Sequence, residues 1–329
     1  MEHHSLDRPA EGAEGAEGAE GAVPDTPLPS PFQCAPKLRR KGTQSCVTRP
    51  QMERLRAAYT TSHAVGGKQG GSRRGRTQRR KKGAALPQLR TLLRAHYACD
   101  TEYCMVRKAP GLRTEERDAM LRRFRPAKPE AWTAKPTEWL DSYNIEDVMA
   151  QYEEAYPDFD FIGPVPIDFD ATTSAAWGRC VVDELCRLDL KEAAARGTKR
   201  LGIIFNMDAH DKPGSHWVCA FVDLPSASAY YYDSYGLPPP PEVERLLGRL
   251  KEQGVRTVLY NDLRAQYRDT ECGMYCLMVV ICLLRGRTFE QVCAMRVTDG
   301  LVNAFRDVLF VTERPRGRAL TDALPTLCT

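Results

Sequence analysis

The sequence predicts an α+β domain in which a central mixed sheet packs on one buried helix, preceded by a disordered N-terminal tail. Three observations predict it. Short apolar runs at 201–206, 216–223, 229–234 and 255–260 have the length of buried strands and are bounded by turn residues. The segment from Cys272 to about Leu284 is apolar on every side, as a central helix must be. Residues 10–22 repeat Ala-Glu-Gly with a period of three, a composition that cannot bury a core.

Composition sets the outer limits. The chain has 329 residues, enough for one sizeable core with extensions, and 42% hydrophobic with 27% charged content is ordinary for a soluble protein. Residues 1–22 are acidic and contain no apolar stretch of the kind a secretory signal needs. The longest apolar run, 274–284, is 11 residues, whereas a spanning helix needs about 20. We therefore expect a soluble intracellular protein with no membrane partner. Its 12 cysteines should then be mostly reduced and buried.

The acidic tail runs with its Pro-rich continuation to residue 36. A basic arm, expected to be disordered, spans 37–86. Lys37, Arg39, Arg40 and Lys41 form its first cluster. Its second, Lys68 to Lys82, holds eight basic residues among glycines, with no acidic residue. Such a run reads as a solvated tail, a nuclear-localisation signal or a nucleic-acid-binding arm. A small helical region should fill 87–135, where Leu89, Leu92, Leu93 and His96 share a face. Cys99 and Cys104 could be half a zinc site, but no second pair stands nearby and no metal is assigned. The catalytic domain should span 136–312, followed by a tail at 313–329. It opens with a helix at Asn144, with Asp147 as a capping partner and Ile145, Val148, Met149 and Tyr152 on one face; Pro157 stops it. Between the third and fourth strands, Val243, Leu246, Leu247 and Leu250 mark a further amphipathic helix.

One cysteine has the address of a nucleophile. Cys272 occupies the first turn of the buried helix, where the dipole and free N–H groups favour an anion. Gly273 beside it would let a substrate backbone approach closely. Of six histidines, His3, His4 and His63 lie in the tail and arm, and His96 lies outside the strand region. His210 sits in a loop, whereas His216 opens a strand, and a base on rigid structure is the better candidate. Asp233 ends the next strand, where its carboxylate could accept from the imidazole Nδ1–H. Gln266 could place its amide near a developing oxyanion, alongside the Cys272 N–H.

The order His216-Trp217, Asp233, Gln266, Cys272-Gly273 resembles the signature of the Ulp1/adenovirus-protease superfamily of cysteine peptidases. Trp139-Leu140-Asp141 resembles the entry segment of the Ulp1 branch. Cys99 to Cys104, 215–223 and Asp269 to Gly273 are similar to the polyprotein-processing, SUMO-protease-like enzymes of African swine fever virus and related large DNA viruses. In the swine fever enzyme an Asn stands where this chain has Asp233. The resemblance implies a papain-like fold and a cysteine endopeptidase cutting after Gly-Gly-x sites, with Trp139 and Trp217 clamping the glycines. It further implies maturation of viral core polyproteins, in the host cytoplasm at the viral factory and in the virion; the basic runs also allow the nucleus. DNA is the one activator it allows, because the adenovirus relative uses it. Two alternatives remain: an isopeptidase acting on ubiquitin-like modifiers, which also end in Gly-Gly, and a nucleic-acid-binding virion component.

Overall fold

The computed structural model describes residues 33–39, 43, 45–64, 85–172 and 178–313. The Ala-Glu-Gly repeat, the basic cluster at 68–82 and nearly all of the C-terminal tail lie outside the described residues.

Five strands form one sheet in the order β1-β2-β3-β4-β5. They are β1 (Phe159–Pro166), β2 (Arg200–Asn206), β3 (Trp217–Asp223), β4 (Ser228–Tyr232) and β5 (Thr257–Tyr260). β1 runs parallel to β2 and β5 parallel to β4, while β2, β3 and β4 are mutually antiparallel. The sheet is therefore mixed, as expected. Both of its faces are covered, so β3 reads as a continuous apolar run instead of an alternating one. Trp217, Cys219 and Phe221 face one core, and Val218, Ala220 and Val222 face the other.

Helices close the two faces. We number those that matter here α1 (Arg49–Ala64), α2 (Leu86–Tyr97), α3 (Glu102–Lys108), α4 (Thr114–Leu121), α5 (Ser142–Ala155), α6 (Pro241–Glu252) and α7 (Cys272–Leu284). All thirteen residues of α7 are buried, which fits a helix with no polar face. It packs with α5 against one side of the sheet. α6 lays Val243, Leu246, Leu247 and Leu250 on the other side, each worth roughly 1.5–3 kcal/mol of burial. α5 is capped by Asp141, whose carboxylate accepts from the Asn144 N–H at 2.8 Å. Asn144 is thus the third residue of the helix and not the opening residue expected; the box pairs Asp141 with Asn144 and leaves Asp147 out. No helix among the described residues is long and apolar enough to cross a membrane.

The N-terminal part differs from expectation in two ways. Residues 49–64, assigned to a disordered arm, form α1, and Met52, Leu55 and Ala58 are buried against the core that holds Leu89 and Leu93 of α2. Its apolar stripe is narrow and its remaining face polar, so composition concealed it. Gln33 and Cys34, assigned to the tail, are buried as well. The second correction concerns cysteine chemistry. Cys34 pairs with Cys46, Cys99 with Cys104 and Cys180 with Cys186. The members of each pair stand only 5 to 12 residues apart, so the local chain path brings together sulfurs that composition had left reduced. Cys99 and Cys104 bond to each other across the start of α3 and do not form half of a metal site.

Candidate active site

β3 and β4 are antiparallel neighbours, and their ends place His216 beside Asp233. His216 Nε2 lies 2.8 Å from Asp233 Oδ1. This is the opposite ring nitrogen from the one expected. Nε2 is turned to the carboxylate, which leaves Nδ1 as the nitrogen available to Cys272, the imidazole's other electrostatic partner. Burial alone would lower the His216 pKa; the Asp233 carboxylate and the neighbouring Cys272 outweigh it and raise it from 6.5 to about 9. The imidazole is thus held as a cation next to a sulfur, the environment a thiolate nucleophile needs.

Asp233 is itself fixed. It is 2% exposed, and Oδ1 also accepts from the Tyr235 N–H at 2.9 Å. Asn261 braces its backbone from both sides: the Asp233 N–H donates to Asn261 Oδ1, and Asn261 Nδ2 donates to the Asp233 carbonyl at 2.7 Å. Tyr235 then stacks on the imidazole with ring centroids 4.7 Å apart. Arg264 lies over both Tyr235 and Tyr267. None of Tyr235, Asn261 or Arg264 was singled out from sequence. Only their short separation from Asp233 and Gln266 could have drawn attention to them.

Cys272 is the first residue of α7 and is 2% exposed. Its backbone N–H is one of the groups a helix start leaves without an internal partner. Gln266 is fully buried. Its Oε1 accepts from the Ser234 hydroxyl at 2.6 Å and its Nε2 donates one N–H to the Arg268 carbonyl, leaving a second N–H. The loop carrying it is tied to α7 by the Tyr275 hydroxyl, which reaches the Ala265 carbonyl and Asp299, each at 3.0 Å. Asp299 in turn accepts from the Tyr267 and Arg268 N–H groups.

The tryptophan segment closes the other side. Trp217 is buried, and its Nε1–H donates to the Leu140 carbonyl at 3.0 Å. Trp139, one residue earlier, is 39% exposed. Gly273 is glycine for a reason other than the one expected. A Cβ there would lie 3.0 Å from Leu140 Cδ1 and 3.2 Å from Trp217 Cδ1, so α7 must be bare at this point for Leu140 and Trp217 to pack on it. Buried Arg306 holds the same segment from behind by donating to the Glu138 carbonyl at 2.5 Å.

The remaining candidates separate from this cluster. His210 is exposed and pairs with Asp168 at 2.7 Å. Cys276 is buried one turn into α7; burial, first of all, and then the neighbouring Cys219 push its thiol well above the ordinary range. Among the described residues, no three His, Cys, Asp or Glu side chains stand together as a metal site.

A mixed sheet on a buried helix, with histidine, aspartate, glutamine and cysteine converging in that chain order, defines a cysteine-peptidase domain of papain-like design and Ulp1-like connectivity. The comparisons with known proteins agree. Residues 196–315 match the Ulp1 protease family, C-terminal catalytic domain. A putative thiol protease of Acanthamoeba polyphaga mimivirus is 31% identical over 199 residues, covering 59% of this chain and 62% of that protein, so the chain matches less than two thirds of the relative's length. A cysteine protease of African swine fever virus is 26% identical over 231 residues, covering 64% of this chain and 83% of the relative. The crystal structure of the swine fever virus protease superposes with a TM-score of 0.58 at 20% identity, covering 88% of this chain and 99% of that one. The shared fold therefore extends beyond the peptidase segment into the N-terminal helices.

Proposed function

We propose that this chain is a cysteine endopeptidase in which Cys272 is the nucleophile, His216 the general base and acid, and Asp233 the residue that orients His216. Supporting it above all is the convergence of a buried helix-start cysteine with a histidine whose far nitrogen rests 2.8 Å from a buried carboxylate. In the first step His216 takes the thiol proton and the sulfur attacks the scissile carbonyl. The Cys272 N–H and the second Gln266 N–H stabilise the oxyanion. His216 then gives its proton to the amine as the C–N bond breaks, leaving a thioester. Water, deprotonated by His216, releases the acid and restores the thiol.

The proposed substrate is a protein cut after a Gly-Gly-type sequence, with viral core polyproteins as the class. Access supports this reading. A nucleophile residue only 2% exposed is reached by a slender backbone and not by a bulky one. Trp217 and Leu140 form the floor of that approach, and exposed Trp139 stands beside it. The test is cleavage of Gly-Gly-x peptides and of SUMO or ubiquitin adducts by wild type and Cys272→Ala. We expect peptide cleavage by the wild type and none by the variant. Efficient removal of the modifiers, with peptides left intact, would move the substrate to ubiquitin-like proteins; undiminished cleavage by the variant would reject the mechanism.

A further inference from the structure

Exposed apolar side chains are concentrated around the reactive cysteine. Seven large ones face solvent among the described residues, and all but Leu92 lie at 139–143, 237 or 260–267. Single apolar residues scattered over a surface are ordinary, whereas a concentration beside a reactive site marks an interaction surface. Trp139 and Tyr143 border the approach assigned above to the glycines. Leu237, Leu263 and Tyr267 belong instead to the two loops that carry Tyr235 and Gln266.

Those loops make a fixed platform that starts at the imidazole. Tyr235 stacks on His216 with ring centroids 4.7 Å apart. The Arg264 guanidinium lies 5.2 Å from the Tyr235 ring and 5.1 Å from that of Tyr267, and its Nε donates to the Gln266 carbonyl at 2.7 Å. The order His216, Tyr235, Arg264, Tyr267 therefore leads from the reactive site to a side chain that is 73% exposed. The backbone joins the two loops: the Ala265 and Gln266 N–H groups both donate to the Ser234 carbonyl at 2.8 Å. At Gly236, whose φ is +74°, a Cβ would stand 2.7 Å from the Leu263 carbonyl carbon. Leu237 and Leu263 thus sit on touching stretches of chain. The second loop sets exposed Arg264 and Arg268 against exposed Asp262 and Asp269. Its formal charges cancel, so what it offers a partner is apolar area on a rigid frame.

His216 gives its proton to the leaving amine in the mechanism above. The departing chain therefore begins at the imidazole and passes the groups stacked outward from it. We propose that Leu237, Leu263 and Tyr267 bind the part of the substrate that follows the scissile bond and select apolar side chains there. The inference rests on the proposed cleavage chemistry and adds to it a second half of recognition, with small residues before the cut and apolar ones after it. Three stacking steps reach no farther than about four residues of extended chain, so the selection falls within that distance of the cut.

The test is a series of internally quenched Gly-Gly peptides in which each of those positions carries Leu, Ser or Asp in turn, read as kcat/KM. For wild type we expect at least one position to favour leucine over aspartate by about tenfold. Leu237→Ser and Tyr267→Ala should each reduce that ratio about threefold. Leu263→Lys should cut the aspartate peptide faster than wild type does, a gain that no misfolded variant gives. All three side chains are exposed, so these substitutions leave the fold in place. Equal rates across the series in wild type would overturn the inference and leave the cleavage mechanism standing, whereas failure to cut any Gly-Gly peptide would remove both. A leucine preference unaltered in all three variants would also overturn it. So would a concentration-dependent mass in sedimentation that Leu263→Lys abolishes without moving the ratio, which would give the patch to a second copy of this chain.

Discussion

The catalytic half and the N-terminal helical unit are built on different principles. In the catalytic half, α7 and a sheet covered on both faces supply stability through continuous apolar packing, and polar groups are gathered at one end for chemistry. The N-terminal unit has a smaller core, held by four helices and two disulfides. It also buries charge: Glu102, 1% exposed, accepts from the Cys46 N–H at 2.8 Å and stands 3.5 Å from Arg90, and its burial raises its carboxyl above the usual range. Where one half uses buried polarity to activate a sulfur, the other uses it to join loops to helices. A perturbed group therefore signals catalysis only when a nucleophile is beside it.

Substitutions can break that contrast in order of expected effect. Cys272→Ala or His216→Ala should lower peptide cleavage by about a thousandfold or more, equivalent to at least roughly 4 kcal/mol of transition-state stabilisation, with the fold retained by circular dichroism. Leu55→Ala in α1 should cost about 2–5 kcal/mol of stability. It is fully buried, so a negligible loss would return residues 49–64 to the status of a disordered arm. Such a variant, measured below its unfolding transition, should keep the wild-type kcat. The smallest effect belongs to Trp139→Ala. As the ring is 39% exposed, stability should move by less than about 1 kcal/mol, while KM for a Gly-Gly peptide rises and kcat changes little.

The histidine offers a pH signature of its own. Its folded pKa of about 9 exceeds the unfolded value of 6.5. The stabilisation it contributes is therefore complete below 6.5 and lost as pH rises through about 9, a difference of about 3 kcal/mol. Chemical unfolding of wild type and His216→Ala across that window should converge at the alkaline end. Asp233→Ala removes the strongest group holding the proton, so its alkaline limit of activity should move down by at least about one pH unit.

How much of this was legible in the sequence follows the same division. β2 to β4 and α7 were found within a residue or two because each is a short apolar run with one clear boundary. β1 was missed: it is an edge strand carrying Pro164, with a register shift between Ile162 and Val165, and edge strands tolerate what central ones forbid. α1 was missed because its narrow stripe lies between two basic clusters, at 37–41 and 68–82. His216, Asp233, Gln266 and Cys272 were legible through their order along the chain. Their supports, Tyr235, Asn261 and Ser234, were not, since a hydrogen bond across 28 residues, as between Asp233 and Asn261, leaves no local pattern. The choice of imidazole nitrogen and the packing reason for Gly273 needed the tertiary geometry.

The central claim is that His216 activates Cys272, and cysteine alkylation tests it without knowing the substrate. Wild type and His216→Ala would be treated with iodoacetamide from pH 5 to 10 and the modified cysteines mapped by mass spectrometry. Cys272 should react ahead of the other cysteines in wild type, and His216→Ala should slow that reaction most at the acid end of the range. Equal Cys272 rates in the two proteins at every pH, or a wild type in which half-buried Cys293 reacts ahead of Cys272, would contradict it.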